Sequence, residues 1–582
     1  MEKKPIRLAD CFKTYTLDQD KACGPEETVA RFRERLRQTG LDILREVRRI
    51  DNGRLDIPVY FSVCGQEAVE VIGNKKQMGK GSTPEQSRAS ACMELAERYS
   101  FFSFKKNPAN FRTATYAEMK ASGLPLLPVE RLLQSVHDER MEPTFLERLI
   151  ADIPIQWTWA TSLTRQEEVL VPFSWFYAIN EFNGPSAGNT YEEAILQGIS
   201  EIVERHVCAL VSHHRLVTPA IDPASVADPV ARELIGKFTR HGIELYLNDF
   251  SLDTGIPTVA ALAVDPATFP ETSEIVFTAG TTPDPAKALI RALTEVAQLA
   301  GDFNSRANYV ASGLPKPLAM AEVEHVTRPG KTVGLGELPS LAADNIRVEV
   351  ERCVAALARL GMEVLVLDTM HPQLLVPAIY TIVPGAHFRE RSMLKDAGLF
   401  AAKLVAERVD DPLAAREKLA RMQELLPDAY YLEFYLGKNE HELGHSEEAA
   451  ARLRRALDLS PAEEDVPYIY SYLGSCLKDL GRYEEAIGVL RHGTECDDER
   501  PDLHNLLGFC HFKLGAHKEA VTHFRRAVEL NPASAIDHAN LGVNYRRLDR
   551  TEEAIEALSL ALALDPSIEF ARVHLEELTG RN

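Results

Sequence analysis

The sequence predicts an α+β region with mixed sheets, followed by an all-α region built from repeats. From about residue 57 to 385, longer helical patterns alternate with short β-rich runs such as IPVYFSVCG, PTVAALAVD, EIVFTAGT, EVLVLDTM and AIYTIVPG. Beyond about residue 406 the pattern is helical and charged, and no further strand signal follows. We therefore predict a first domain at residues 1–405, a helical linker at 406–429 and a repeat domain at 430–582.

Length, charge and cysteine usage narrow the class of protein. A chain of 582 residues exceeds the usual single domain, so two or more cores are expected. The net charge of −21 opposes a nucleic-acid partner, because no basic patch offsets it. Nine cysteines form no C-x-x-C pair, which argues against a disulfide framework or a thiolate zinc site. With no signal sequence and no membrane-length apolar run, we expect a soluble, cytoplasmic protein without a membrane partner.

One segment of the first region occurs twice. GSTPEQSRASACMELAER, residues 81–98, returns without a gap as GNTYEEAILQGISEIVER, residues 188–205. The identical positions are Gly81/Gly188, Thr83/Thr190, Glu85/Glu192, Glu94/Glu201, Glu97/Glu204 and Arg98/Arg205. Charged positions therefore match better than apolar ones. The second copy is predicted to form a helix that begins after Asn189 or Thr190, since either residue is a suitable N-cap.

The two predicted helices carry acidic faces. At about 100° per residue, one face of the second copy is polar and the opposite face is apolar. The polar face contains Glu193, Gln197, Glu201 and Glu204, and the apolar face contains Ile195, Ile199, Ile202 and Val203. A single helix of this kind is usually amphipathic with a solvated acidic face. Two such helices, both ending in E-x-x-E-R, favour a different arrangement, in which they face each other across a hard cation such as Mg²⁺.

Basic residues near these helices offer contacts to anions. Lys80 lies in GKGST, and an arginine follows each E-x-x-E pair at Arg98 and Arg205. Since magnesium in proteins commonly accompanies phosphate groups, a nucleotide site becomes plausible. A third, looser copy, GTTPDPAKALIRALTEVAQ at residues 280–298, contains two extra residues and places Arg291, Glu295 and Gln298 on one helix. Taken alone, Arg291 and Glu295 at i and i+4 form a structural ion pair more often than a site.

The last region carries a second kind of repeat. Leu-Gly pairs recur 34 residues apart, as do three alanines, and these are Leu473-Gly474, Leu507-Gly508 and Leu541-Gly542, with Ala486, Ala520 and Ala554. A weaker first copy begins at Leu436-Gly437. The pattern resembles the tetratricopeptide repeat, in which small residues let paired helices approach. We expect about four repeats and a closing helix, which serve either as a structural, dimer-forming solenoid or as a groove for a partner protein or peptide.

Together, GKGSTPEQSRASACMELAERYS and SAGNTYEEAILQGISEIVERH resemble the two signature segments of the YcaO family, ATP-dependent enzymes that activate backbone amides. The resemblance spans about residues 20 to 400, and it implies that the two acidic helices hold Mg²⁺ ions and ATP between them. The positions that match magnesium ligands are Glu94, Glu97, Glu193, Glu201 and Glu204. The positions that match nucleotide contacts are Lys21, Thr28, Ser90, Asn189, Gln197, Arg205 and Arg291, to which we add Lys80 as an anion contact.

The resemblance also implies a reaction. A nucleophile attacks a peptide carbonyl, ATP phosphorylates the amide oxygen, and loss of phosphate leaves an azoline, thioamide or amidine; Glu94, Glu97, Glu201, Glu204 and Arg205 would support this chemistry. The chain ends in LEELTGRN after a helical solenoid rather than in a proline-rich tail, so it is closer to the stand-alone members, and we expect a homodimer. The alternative is a tetratricopeptide adaptor whose ATP site regulates partner binding or assists another modifying enzyme.

Overall fold

The computed structural model describes residues 3–73, 77–306, 309, 313–388 and 395–580. It divides into two compact units, Met1–Ala397 and Gly398–Asn582. The boundary that the sequence analysis placed after residue 405 falls inside the helix Ala397–Arg408. Within the described residues, no helix combines the length and the apolar character that crossing a membrane would require.

The first unit contains fourteen strands within its described residues. They are β1 Leu44–Arg49, β2 Val59–Cys64, β3 Gln77–Lys80, β4 Arg112–Thr115, β5 Pro154–Ser162, β6 Glu167–Pro172, β7 Pro185–Ala187, β8 Ala220–Ile221, β9 Glu244–Asp249, β10 Thr258–Val264, β11 Val276–Thr281, β12 Thr332–Val333, β13 Leu365–Asp368 and β14 Ala378–Ile382. The strands form three sheets with the orders β1-β2-β3, β11-β10-β9-β8-β12 and β4-β5-β13-β14-β7, with β6 paired to β5. Strand β12 runs parallel to β8, and the other pairs are antiparallel. The predicted α+β class with mixed sheets is confirmed.

The helices of the first unit cover these sheets. They are α1 Pro25–Thr39, α2 Gln66–Ile72, α3 Pro84–Lys106, α4 Tyr116–Ala121, α5 Val129–Ser135, α6 Pro143–Ile150, α7 Phe173–Asn180, α8 Tyr191–His214, α9 Pro229–Arg240, α10 Pro285–Ala300, α11 Glu324–Thr327 and α12 Ile346–Arg359. Three long helices each lie against a different sheet: α3 packs on β2 and β3, α8 on β7 and β14, and α10 on β10 and β11. These three helices are the duplicated segment and its looser third copy.

Each of these three helices begins at a side chain that caps it. The Thr83 side chain accepts a hydrogen bond from the Gln86 backbone N–H, and the Thr190 side chain accepts one from Glu193. Asp284 caps α10 in the same way. The predicted helix start at Asn189 or Thr190 is therefore confirmed, with Thr190 as the cap. The predicted apolar face of α8 is buried, since Ile195, Ile199, Ile202 and Val203 are each at most 1% exposed.

The second unit is helical throughout its described residues. Its helices are α13 Ala397–Arg408, α14 Pro412–Leu425, α15 Tyr430–Glu442, α16 Ser446–Asp458, α17 Val466–Asp479, α18 Tyr483–Cys496, α19 Pro501–Lys513, α20 His517–Leu530, α21 Ala535–Arg547, α22 Thr551–Leu564 and α23 Glu569–Thr579. From α15 to α22 they pack as four antiparallel pairs, and α23 closes the stack. The predicted solenoid is confirmed.

The recurring glycines of the solenoid lie where paired helices touch. A Cβ atom added at Gly437, Gly474, Gly508 or Gly542 would come within 3.0 Å of a side chain on the partner helix. The side chains that it would meet are Leu453, Leu490, Phe524 and Leu558. These glycines therefore set how closely each pair of helices approaches.

Candidate active site

One cavity of about 240 Å³ in the first unit lies between α3, α8 and α10. Every site residue that the sequence predicted lines it, and these are Lys21, Thr28, Lys80, Ser90, Glu94, Glu97, Asn189, Glu193, Gln197, Glu201, Glu204, Arg205 and Arg291. Residues that are distant in the chain thus share one chamber.

The acidic faces of α3 and α8 turn inward to this cavity. Glu204 is only 2% exposed, so a solvated acidic face is the wrong description of α8. Burial raises the pKa of Glu94 to about 7, although Arg98 and Lys80 oppose the shift. Burial likewise raises the pKa of Glu97 to about 8, and the negative charges of Glu201 and Glu94 add to the effect. The nearby positive charges are therefore not enough to keep both buried carboxyl groups ionised at neutral pH.

Arginines supply part of that positive charge. The Arg205 guanidinium lies 3.5 Å from the Glu201 carboxylate and 3.8 Å from that of Glu204. Arg291 from α10 lies 3.5 Å from Glu204 and donates a hydrogen bond of 2.9 Å to Oε1 of Gln197. Arg291 therefore links α10 to α8 across the cavity, as well as adding a cation.

The polar groups in this cavity fit a bound metal and a phosphate. Arg205 Nε is buried and has no hydrogen-bond partner among the residues that the structure describes. Glu204 Oε2 and Arg291 Nε are buried too, and the 3.5 Å ion pair that they form with each other is longer than a normal hydrogen bond. Buried polar groups in proteins are normally paired, so these atoms point to a missing partner. Carboxylate oxygens are ligands that Mg²⁺ prefers, and guanidinium groups bind phosphate. The donor set therefore suits a magnesium-bound polyphosphate.

The chain's N-terminal segment closes one side of the cavity. Residues 9–24, here called the N-terminal strap, contribute Gln19, Lys21 and Cys23 to the lining. Glu193 of α8 holds the strap, because its carboxylate accepts hydrogen bonds from the backbone N–H of Ala22 at 3.2 Å and of Asn189 at 2.6 Å. Just beyond the strap, Thr28 Oγ1 donates to Oδ1 of Asn189 at 3.0 Å. Glu193 thus has a positioning role in addition to the metal-ligand role predicted for it.

Further residues line the cavity, among them Gln86, Glu295 and Gln298. The sequence analysis placed Glu295 and Gln298 on one helix with Arg291 without assigning them to the site. It favoured a structural pair of Glu295 with Arg291, whereas the structure pairs Glu295 with Lys80 and Arg291 with Glu204. The duplication could have indicated Gln86, since it occupies the position that Glu193 holds in the second copy. Gln19 of the strap carried no signal beyond its closeness to Lys21 in the sequence.

Comparison with known proteins agrees with this geometry. Residues 78–387 match the family model described as a YcaO cyclodehydratase that binds ATP and Mg²⁺. The chain belongs to the YcaO family. The match includes α3, α8 and α10, the three helices that surround the cavity. ATP and Mg²⁺ are the cofactors of the family, as the sequence predicted.

Relatives of this family cover the first unit. An uncharacterized protein of Methanothermobacter thermautotrophicus is 30% identical over 387 residues, which are 63% of this chain and 94% of that protein. A second, from Rhizobium leguminosarum bv. trifolii and described as lying in the tfuA 3' region, is 28% identical and covers 63% of this chain and 88% of its own length. A solved heterocyclase in complex with substrate and cofactor is 27% identical with a TM-score of 0.51, covering 66% of this chain and 55% of that one.

The second unit matches other models. Residues 499–567 match the tetratricopeptide repeat, and residues 439–527 match a model described as subunit 3 of the anaphase-promoting complex, or cyclosome. The repeats that the sequence predicted are thereby confirmed.

Proposed function

We propose that the protein uses ATP and Mg²⁺ to phosphorylate the oxygen of a backbone amide in a peptide or protein. The observation that carries the proposal is the pair of acidic helices that turn buried carboxylates into one cavity, beside an Arg205 Nε atom that has no hydrogen-bond partner among the described residues. ATP supplies the phosphoryl group that makes the amide oxygen a leaving group, and Mg²⁺ neutralises phosphate charge. The heterocyclase that resembles this chain was solved in complex with substrate and cofactor, which supports an enzymatic role for the cavity here.

The residues of the chain divide this work by chemistry. Oxygen ligands for magnesium come from the two acidic helices, through Glu94, Glu97, Glu193, Glu201 and Glu204. Contacts to the nucleotide come from Lys21, Thr28, Lys80, Ser90, Asn189, Gln197, Arg205 and Arg291. Because the arginines are pre-positioned in a buried cavity, they stabilise charge without reorganising during the reaction.

The attacking nucleophile comes from outside the chain in this proposal. Among the described residues of the lining, Cys23 is the one cysteine, and burial raises the pKa of its thiol above the usual value. Burial also raises the pKa of Cys92, on α3, to about 11. Thiols of this kind stay protonated at neutral pH and are poor nucleophiles. The substrate or a partner protein therefore supplies the atom that attacks the amide carbon.

The second unit has a separate task in this proposal, which is association. Tetratricopeptide stacks present extended surfaces to other proteins, so we assign the repeats to binding a substrate protein, a partner or a second copy of the chain. A regulatory adaptor would need the same repeats, and it would bind ATP without modifying any amide. The two functions therefore differ in their products.

Mass spectrometry of co-purifying peptides and proteins tests the proposal. The protein is compared with Glu201→Gln, and Glu233→Gln on the exposed face of α9 is the matched control. We expect a partner that has lost water or exchanged oxygen for sulfur with the native chain and the control, and an unmodified partner with Glu201→Gln. Partners that stay unmodified with the native chain while ATP is bound would favour the adaptor.

A further inference from the structure

The three helices around the cavity share one register. Counted from the N-cap residues Thr83, Thr190 and Asp284, the same three positions of each helix line the cavity. At the seventh residue stand Ser90, Gln197 and Arg291; at the eleventh, Glu94, Glu201 and Glu295; at the fourteenth, Glu97, Glu204 and Gln298. The two extra residues of the third copy precede its N-cap, so they do not disturb the helix itself. Helix α10 is therefore a third wall, equivalent in register to the two acidic helices.

The third wall carries less negative charge than the other two. Its fourteenth residue is Gln298, whereas Glu97 and Glu204 occupy that position in α3 and α8. Its one carboxylate in the register, Glu295, already has a cation, because it pairs with the Lys80 ammonium group at the end of β3. The side chains of Lys80 and Glu295 are only 18% and 9% exposed. On this wall the carboxylate that corresponds to Glu94 and Glu201 is Glu295, and a cation of the protein, Lys80, lies beside it.

Strand β3 is fixed in the place that this pairing requires. A Cβ atom at Gly79 would lie within 3.0 Å of backbone atoms of Ser87 and Ala91 in α3, so the strand presses directly on that helix. Lys80, the next residue, then extends between α3 and α10. Burial by itself would raise the pKa of Glu295, but Lys80, Arg205 and Arg291 lower it, so Glu295 keeps its negative charge. Burial also lowers the pKa of Lys80, and the negative charges of Glu295 and Glu204 oppose that shift.

We propose that Glu295 fixes Lys80 as a built-in cation at the third wall, where the lysine contacts the triphosphate in place of a magnesium ion. The inference rests on the proposed function, and it makes Glu295 a positioning residue rather than a metal ligand. A lysine ammonium is a compact point charge suited to phosphate, and a fixed carboxylate removes its freedom to move. The three walls therefore differ in the source of positive charge: α3 and α8 supply carboxylates that bind metal, whereas α10 holds a lysine.

Calorimetry with a non-hydrolysable ATP analogue and Mg²⁺ tests this role. We expect Lys80→Met and Glu295→Gln each to weaken binding by about 10- to 100-fold, the range for a lost hydrogen bond to a charged group. The double variant should bind no more weakly than the worse single variant, because the two residues act as one unit. Lys80→Arg keeps a cation and should restore most of the affinity. Single variants that bind like the native chain, or losses that add fully in the double variant, overturn the proposal.

Counting bound Mn²⁺ by electron paramagnetic resonance gives a readout that structural damage would not produce. Lys80→Met leaves Glu295 without this cation, so with the analogue present we expect one more Mn²⁺ per chain than in the native protein. Lys80→Met/Glu295→Gln should return to the native number. An unchanged number in Lys80→Met overturns the idea that the lysine replaces a metal.

A matched ion pair outside the cavity controls for general destabilisation. Arg54 and Asp265 lie 2.7 Å apart in the same unit, and Asp265 is 1% exposed. We expect Arg54→Met to bind the analogue like the native chain, and an equal loss in this variant overturns the assignment.

A native chain that binds the analogue but turns over no amide contradicts the proposed function while leaving the lysine's role intact. If the native chain modifies an amide but the Lys80 and Glu295 variants bind the analogue as tightly as the native chain, the role of the lysine is wrong and the proposed function stands.

Discussion

Within α3 and α8 the recurring positions are charged, and three of the four line a buried cavity, namely Glu94/Glu201, Glu97/Glu204 and Arg98/Arg205. The positions that recur in the solenoid are glycines, alanines and leucines at helix contacts. Both units are built from repeated helices, but different properties are repeated. Burying carboxylates costs stability unless a cation compensates them, so their repetition in the first unit points to a ligand. Repetition of small residues favours close packing of helices, and it is explained by the fold alone.

The largest expected effect comes from removing a recurring charge in the first unit. Glu201→Ala should lower ATP hydrolysis by at least about 100-fold, because the site loses a metal ligand and Arg205 loses one carboxylate partner. The fold should persist, since Glu201 lies on the face of α8 opposite its buried isoleucines. Phosphate release and circular dichroism are the measurements.

Glu233→Ala, on the exposed face of α9, is the control and should hydrolyse ATP at the native rate. A folded Glu201→Ala protein with native turnover would refute the assignment of α8 as a metal-binding helix.

A second effect follows from the raised pKa values of the acidic pair. Burial raises the pKa of Glu94 to about 7 and of Glu97 to about 8, above the ordinary value of 4.5, so the ligand-free fold holds protons that the unfolded chain has released. Stability without Mg²⁺ should therefore fall as pH rises from about 5 to 8. Magnesium needs ionised carboxylates, so its affinity should rise over pH 6 to 8 by about tenfold or more.

Calorimetric titration of Mg²⁺ with the ATP analogue at several pH values measures this dependence. Glu97→Gln removes one titrating group and should flatten the rise. If the native affinity is the same at pH 6 and pH 8, the carboxylates are already ionised in the ligand-free protein and the argument from burial is wrong.

Sequence alone predicted the features that depend on local pattern. The start of α8, the strands β2, β10, β11, β13 and β14 and the paired helices of the solenoid all follow from periodicity and capping residues. The site residues of the duplicated segment were predicted because both copies were present for comparison. Strand β5, with the run PIQWTWATS, was missed although its composition is typical of a strand.

Features that depend on long-range contacts could not be predicted. Two extra residues before Asp284 concealed the common register of α10, because alignment from Gly280 shifts every position. The pairing of Lys80 with Glu295 joins a strand to a helix far along the chain, and no local pattern encodes it. The same holds for Glu193 and the backbone of Ala22, whose contact closes the N-terminal strap.

A third prediction concerns the solenoid, where the repeated feature is packing. Gly508→Ala should destabilise the second unit by about 1–3 kcal/mol, since its methyl group would collide with the buried Phe524 ring. Gly488→Ala is the matched control, because a Cβ there meets nothing within 4 Å, and it should stabilise α18 by up to about 1 kcal/mol. Urea unfolding followed by circular dichroism measures both. Equal effects in the two variants would mean that the recurring glycines do not set helix spacing.

The smallest effect should be that of the solenoid on nucleotide binding. No residue assigned to the ATP site lies beyond Arg291, and repeat stacks make mostly contacts with neighbouring repeats. A chain that ends at residue 429 should therefore bind the ATP analogue within about twofold of the native affinity, as expected for independent regions. Its oligomeric mass, or its capture of a partner, should change instead. Analytical ultracentrifugation and pull-down of the truncated chain measure these properties beside calorimetry.

Aggregation alone decides nothing, because removing the first repeat uncovers the apolar face on which α14 meets α15. A well-dispersed truncated protein that keeps its mass and partners but no longer binds nucleotide would show that the two units do not divide the work in this way.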